Sequence, residues 1–489
     1  MSEKQFRLYD SLSRAVKPLK TQEPGKLSFY TCGPTVYSYA HIGNFRSFLT
    51  ADLIVRTATA IGYDVTWVSN ITDVGHLTDD DVADGQGEDK MEKGLRSKEG
   101  EKFHSVWELA EYYEDAYKSD WSLLNLREPN VRPRATQHVR EQILAAQSLI
   151  DKGFAYETPT GVYFSVEKFP EYGKLSGNTQ ESLRKGVRDV VLDENKNDQS
   201  DFAVWKKDDK HLMQWFSPYG WGFPGWHIEC SVMARAYLVD TIDLHSGGED
   251  NKFPHHECEI AQSEALTGKP FCNHWTHTAF LQVNGQKMSK SLGNFYYVRQ
   301  LVDKGADPLA IRFALMSGVY RKNLNFTDQG LEDAKLNVDR LARALSLAKE
   351  ATGGGPATLG DSLVALFEEA LDAMLNDLNT PIAISKALEG AKLISKDTLN
   401  KADGELAVEF LEKINDLLGI VHHEVALPQT QSAPEPAVDE AKILAKIEER
   451  AAAKAAKNWA LADGIRNELV ALGILLVDNP DGSTSWKLA

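Results

Sequence analysis

An α/β fold is expected for this chain: a parallel sheet split by an insertion, followed by an α-helical bundle and a small C-terminal domain. Three observations carry that expectation. An apolar run at 27–31, an apolar helix pattern through Phe45, Phe48, Leu49 and Leu53 that stops at Gly62, and a strand-like run at 64–71 make a strand–helix–strand unit. Two more strand-like runs, 241–245 and 278–283, return only after a long polar and loop-rich stretch. From 328 to 418 apolar residues recur at spacings of three and four, the signature of packed helices.

Taken in order, residues 1–125 and 219–280 form the sheet body, of Rossmann type because strand, tight turn and helix follow one another. Residues 126–218 are the insertion, loop-rich from 178 to 209. Residues 281–326 begin with an Asn284-Gly285 turn and carry a lysine-bearing loop. The bundle spans 327–425 and is interrupted at Gly353-Gly354-Gly355-Pro356. A polar, proline-bearing linker covers 426–438. The last unit, 439–489, reads as a helix pair, a strand at 474–477, a turn at Asp481-Gly482 and a short strand ending near Trp486. No internal repeat is present.

At 489 residues, 42% hydrophobic and 26% charged, the composition is that of a globular protein of several domains. No apolar run approaches the ~18 residues of a membrane helix, and Met1-Ser2-Glu3-Lys4-Gln5 does not open a signal peptide. Four cysteines, Cys32, Cys230, Cys258 and Cys272, read as reduced thiols in a cytoplasm. The net charge of −17 opposes binding to nucleic acid unless a local basic stripe exists. One does: Lys442, Lys446, Arg450, Lys454 and Lys457 follow one another at four, four, four and three residues.

Chemistry concentrates in two strings. His41-Ile42-Gly43-Asn44 sits where the first strand turns into its helix, and free backbone N–H groups at a helix N-terminus attract phosphate. Gly43 admits a flat ring against the backbone, and His41 donates to phosphate oxygens. Lys287-Met288-Ser289-Lys290-Ser291 puts two lysines on a loop that can close on a pyrophosphate as its charge grows. A third pattern concerns metal. Cys32, Cys230 in Gly225-Trp226-His227-Ile228-Glu229-Cys230, and His255 and Glu259, four apart after Pro254 at the first helical position, make a tetrahedral zinc set. His256 or Cys258 can replace a member of it.

The two strings together resemble the ATP-site motifs of class I aminoacyl-tRNA synthetases. Cys32-Gly33-Pro34-Thr35-Val36-Tyr37, Gly225 to Cys230, and Phe253-Pro254-His255-His256-Glu257 with Glu259 resemble the cysteinyl-tRNA synthetase family in particular. The resemblance implies ligation of L-cysteine to tRNA(Cys) through cysteinyl-adenylate. It makes His41, Asn44, Lys287 and Lys290 catalytic, and His41, Gly43, Asn44, Gly247, Gly248, Asp250 and Lys290 the ATP contacts. Thr72, Trp226 and His245 would line the amino-acid pocket. Cys32, Cys230, His255 and Glu259 would hold one Zn2+, which takes the substrate thiolate, and Mg2+ would come with ATP. The C-terminal domain would read the anticodon, with the basic stripe, Trp459, Asp478 and Trp486 as candidates. Arg321 and Lys322 would meet the inner bend of the tRNA. A cytoplasmic monomer is implied. Ser246 replaces a common glycine of the family, and the acidic stretch 74–93 departs from its usual form. Two rivals are a cysteine ligase acting on a sugar amine, which would not need residues 439–489, and an RNA-binding paralogue without activity, which would not need the intact lysine and metal positions.

Overall fold

Four parallel strands make the central sheet: β1 (Lys26–Thr31), β2 (Asp64–Ser69), β3 (Leu244–Gly248) and β4 (Trp275–Thr278), in the order β4-β3-β1-β2. Register pairs Tyr30 with both Val68 and His245, and His245 with Trp275. In this computed structural model the described residues are 4–75, 77–79, 86–178, 194–288, 294–395, 399–424, 440–456, 458–471, 474–478 and 484–488. The chain divides into two units, Met1–Ala426 and Leu427–Ala489.

Helix α1 (Ile42–Ala60) crosses from β1 to β2 and is buried on nearly every side. Its apolar residues pack on the sheet and on aromatic side chains of α2 (Val106–Leu123), with Phe48 against Tyr117 and Trp121 at ring-centroid distances of 5.3 and 5.7 Å. Its polar residues are buried as well, Asp52 and Arg56 on the same helical face as Phe45, Leu49 and Leu53, and Arg46 at its edge. Arg46 donates to the carbonyls of Phe280 (3.0 Å) and Lys322 (2.7 Å), and Asp52 accepts from Arg56 (2.7 Å) and Arg312 (2.6 Å). Every such group has partners, as burial demands.

The run 278–283, read as one strand, is split. β4 ends at Thr278, while Leu281–Val283 pairs with Gln286–Lys287 and Leu324–Phe326 in a separate small sheet. The carbonyls of Ala279 and Phe280 between them are taken by Arg46, so they cannot continue the ladder. The Asn284-Gly285 turn falls as expected, with φ of 50° and 77° at its two residues.

Across the insertion and past its expected end at 218, five antiparallel strands from Ala155–Glu157 to Gly220–Pro224 form one sheet. Its last strand runs straight into α3 (Trp226–Tyr237). Helix α4 (His255–Thr267) follows β3, with Pro254 at its N-cap rather than at its first turn. The acidic stretch acquires a structural role. Asp89 caps Lys90–Leu95 through the N–H of Glu92 (2.9 Å) and approaches His211 Nε2 at 3.5 Å, while Glu92 accepts from the N–H of Leu212 (3.2 Å). It clasps the sheet body to the insertion. Its residues 76 and 80–85 lie outside the described residues.

After α5 (Val298–Asp303) and α6 (Pro308–Leu315) come the bundle helices α7 (Asp328–Lys349), α8 (Gly360–Leu375), α9 (Thr380–Ile394) and α10 (Lys401–Leu418). The break around Gly353 falls between α7 and α8. In the second unit, α11 (Glu440–Ala455) and α12 (Trp459–Ala471) precede a hairpin of Ile474–Asp478 and Thr484–Leu488. Among the described residues no helix is long and apolar enough to cross a membrane.

Candidate active site and metal centre

The His41 turn owes its shape to a reciprocal cap. The Asn44 N–H donates to His41 Nδ1 (3.2 Å), and the His41 N–H donates to Asn44 Oδ1 (3.0 Å). Because Nδ1 is the acceptor, the ring proton resides on Nε2, at the N-terminus of a 19-residue helix. Thus His41 and Asn44, the two residues expected to meet phosphate, fix the start of the helix through each other. Gly43 has no room for a side chain: a Cβ there would lie 2.7 Å from Met288 Cε and 3.0 Å from the His41 ring.

That contact brings the second string to the first. The Ile42 N–H donates to the Tyr296 carbonyl (3.0 Å), His41 and Tyr297 form an antiparallel bridge, and Phe295 stands edge-on to the His41 ring at 4.8 Å. Lys287 is exposed at the end of its strand. Lys290, with Ser289 and Ser291, lies outside the described residues. Arg299, on α5, lies over the Tyr39 ring at 4.4 Å and pairs with Asp120 of α2 at 3.1 Å. Sequence reasoning passed over Arg299. The signal available was a cation nine residues past Lys290.

At this same C-terminal end of β1, Cys32, Cys230, His255 and Glu259 are brought together, their donor atoms all within 4.8 Å of one another and all four buried. The turn after β1 supplies Cys32, α3 supplies Cys230, and α4 presents His255 and Glu259 one turn apart, with His255 Nε2 3.0 Å from Glu259 Oε1. Burial works to raise the Glu259 carboxyl, yet His245 and His255 hold it down at about 2. Burial likewise pushes the Cys230 thiol up, but a hydrogen bond from Cys32 and the charge of His255 bring it to about 6. His255, disfavoured as a cation by burial, is lifted to about 10 by Glu259 and Cys230. A thiolate and a carboxylate confined with a single compensating proton are a donor set that a divalent cation satisfies. The residues fit a metal.

Around these four sit histidines that the sequence pattern marked only in part. His227 and His255 meet through their Nδ1 atoms at 2.9 Å, and Trp226 stacks on His255 at 4.3 Å. His245, expected to line the pocket, is fully buried, with Nε2 3.0 Å from Glu259 Oε2 and its ring stacked on Trp275 at 4.6 Å. It stands behind the donors, gripping one of them. The Thr72 hydroxyl accepts from Asn70 Nδ2 (3.0 Å), and Asn70 Oδ1 accepts from the Gly33 N–H (2.9 Å), so the β2 end is tied to the cysteine turn. Gly247 is packed so closely that a Cβ would meet the His256 ring at 2.8 Å. Gly248 and Asp250 follow, with Asp250 exposed, and the Ser246 hydroxyl turns inward to Thr31 (3.4 Å).

The basic stripe is not a uniform solvent-facing row. Arg450 is only 6% exposed, and Lys446 is engaged by Glu468 at 2.9 Å across the helix pair. Lys457 lies outside the described residues. Trp459 begins α12, and Asp478 and Trp486 lie on the hairpin strands. Arg321 is held by Asp377 at 2.6 Å, which leaves the exposed Lys322 as the better candidate for RNA of that pair.

Parallel sheet, phosphate turn at a helix N-terminus and a lysine loop strapped to it define a class I tRNA synthetase catalytic body. The family model for the tRNA synthetases class I (C) catalytic domain matches residues 18–336. The chain is 52% identical to the cysteine–tRNA ligase of Salinibacter ruber, over 99% of this chain and 98% of that protein. It is 42% identical to the cysteine–tRNA ligase of Chlorobaculum tepidum, over 99% of each. Among solved structures, Mycobacterium tuberculosis methionyl-tRNA synthetase bound by methionyl-adenylate is similar in fold, with a TM-score of 0.57 at 15% identity, covering 81% of this chain and 92% of that one. The chain belongs to the class I tRNA synthetases and, within them, to the cysteine–tRNA ligase family.

Proposed function

We propose that this protein activates L-cysteine with ATP and transfers it to the 3′-terminal ribose of tRNA(Cys), acting as a cytoplasmic monomer. The observation that carries the reading is the buried Cys32, Cys230, His255 and Glu259 set lying at the mouth of the phosphate turn's own strand. When bound there, zinc supplies a coordination position that takes a thiolate and discriminates against serine's neutral hydroxyl. Shape alone separates such near-isosteres by only ~1–3 kcal/mol.

The first step needs little proton chemistry, because the attacking cysteine carboxylate is already an anion. Position and charge therefore dominate. His41 donates from Nε2 to phosphate oxygen while the Asn44 N–H holds its other nitrogen, and the α1 dipole adds to that attraction. Lys287 and Lys290 neutralise the departing pyrophosphate, and Mg2+ accompanies the nucleotide. Gly247, Gly248 and Asp250, at the end of β3, receive the adenosine, with Asp250 accepting from ribose hydroxyls. Thr72 and Trp226 flank the amino acid. The second unit takes the anticodon.

X-ray absorption at the metal of the purified protein tests the reading. Added cysteine should raise the sulfur neighbours by one, and added serine should leave them unchanged. An unaltered sulfur count, or failure to charge a tRNA(Cys) transcript, would remove it.

A further inference from the structure

Two sets of four donors overlap behind the cysteine turn. One is Cys32, Cys230, His255 and Glu259; the other is Cys32, His245, His256 and Glu259, and in each the donor atoms lie within 4.8 Å of one another. Cys32 and Glu259 belong to both. The two sets therefore compete for the same thiol and the same carboxylate.

The second set is prepared for a ligand's role. His256 Nε2 lies 3.3 Å from Cys32 Sγ, while its Nδ1 lies 2.8 Å from His277 Nε2, and His277 Nδ1 lies 2.7 Å from Ser11 Oγ. Donation along that line, His256 to His277 to Ser11, leaves the His256 Nε2 lone pair facing the shared cysteine. A backing hydrogen bond of this kind is what orients a metal-ligating imidazole. His255 has the same support from His227. His245 presents Nε2 to the shared Glu259, and its Nδ1 has no hydrogen-bond partner among the described residues. Both rings are fully buried and roofed by Trp275, at 4.6 and 5.1 Å. The His256 Nε2 lone pair thus accepts from the Cys32 thiol where a metal would replace that proton, and the partnerless Nδ1 of His245 is a second buried ring nitrogen beside the shared donors.

We propose that His245 and His256 complete a second, inner station for the same metal ion, which takes the ion when a donor of the outer set is withdrawn. This rests on the metal reading of the outer set given above. The inner set exchanges one thiolate and one imidazole for two imidazoles. Cys230 then no longer binds the ion, although nothing has been done to Cys230 itself.

Cobalt(II) substitution of the full chain reads this directly, because the intensity of thiolate-to-cobalt absorption counts bound thiolates. The wild type should bind one cobalt with two thiolates. His255→Ala leaves both cysteines in place, yet it should keep one cobalt per chain and show half the thiolate band. Cys230→Ala, a second route to the same state, should give the same half band, and His255→Ala/His256→Ala should bind no cobalt. Circular dichroism confirms that each variant is folded. A full two-thiolate band or no cobalt in His255→Ala, or cobalt retained by the double variant, overturns the inner station while leaving the outer set intact. A wild-type band lacking two thiolates brings down the outer reading, and the inner station with it.

Discussion

Removing Arg299 should loosen the strap between the lysine loop and the phosphate turn, by an amount that depends on pH. In the wild type, burial raises the Asp120 carboxyl from 3.8 to about 6, against the pull of Arg299. The sign follows from linkage: a carboxyl raised on folding costs stability as pH climbs from its unfolded to its folded value, so wild-type stability falls between 3.8 and about 6 and then levels. Without the guanidinium, the buried carboxyl has no cation and stays protonated, so the loss continues to higher pH at ~1.4 kcal/mol per unit. At pH 6 Arg299→Ala forfeits its place over Tyr39 and its bond to the Ala116 carbonyl, together roughly 2 kcal/mol. Two further pH units, to pH 8, add roughly 3 kcal/mol. Urea midpoints at the two pH values measure this, and Asp120→Asn in the same background should flatten the difference. Because Tyr39 lies two residues before His41, pyrophosphate exchange should drop about tenfold, mostly in kcat. Equal destabilisation at pH 6 and pH 8 would refute the reasoning, since it would mean Asp120 is not the group left alone.

Lys290→Ala should slow cysteine-dependent pyrophosphate exchange by about 10² with little change in the KM for cysteine; an unchanged rate excludes it from the chemistry. Asp52→Ala leaves Arg56 and Arg312 facing each other without their shared carboxylate, so a loss of roughly 3–5 kcal/mol is expected in chemical denaturation. A loss below 1 kcal/mol would show that the carbonyls around the two guanidiniums suffice. Gly43→Ala should impair ATP binding more than cysteine binding, because its Cβ collides with Met288 and the His41 ring; isothermal titration with each ligand separates the two.

The strand–helix–strand start, the return of the sheet and the bundle are legible in the sequence because each rests on local periodicity. What periodicity does not reveal is partnership. Asp52 and Arg56 fall at helical spacing on the same face as Phe45, Leu49 and Leu53, with Arg46 at its edge, so spacing turns them inward but cannot name the partners that satisfy them there. The split of 278–283 has the same origin, since a guanidinium more than 230 residues away claims the carbonyls. At the site, motif strings point to the four donors, and the fold gathers them. His277 carries no motif. It is found only by following the hydrogen bond from His256. The basic stripe shows the converse failure. A spacing of four places cations on one helix face, but it cannot say that α12 covers part of that face.

That partial cover alters how an acidic chain should meet RNA. A protein of net charge −17 gains phosphate affinity only where cations are concentrated and accessible. The four stripe cations on α11 (Lys442, Lys446, Arg450 and Lys454), if all freely exposed, would give a salt dependence of log K near −3.6, at ~0.9 per phosphate neutralised. With Arg450 buried and Lys446 held by Glu468, the slope should be shallower by roughly two, measured by titrating an anticodon stem-loop between 50 and 200 mM salt. Arg450→Ala should then lower the melting temperature of the full chain's helix pair without moving the slope. If it reduced the slope by about one while leaving stability unchanged, Arg450 would be a phosphate contact, and the packing described for it would be wrong.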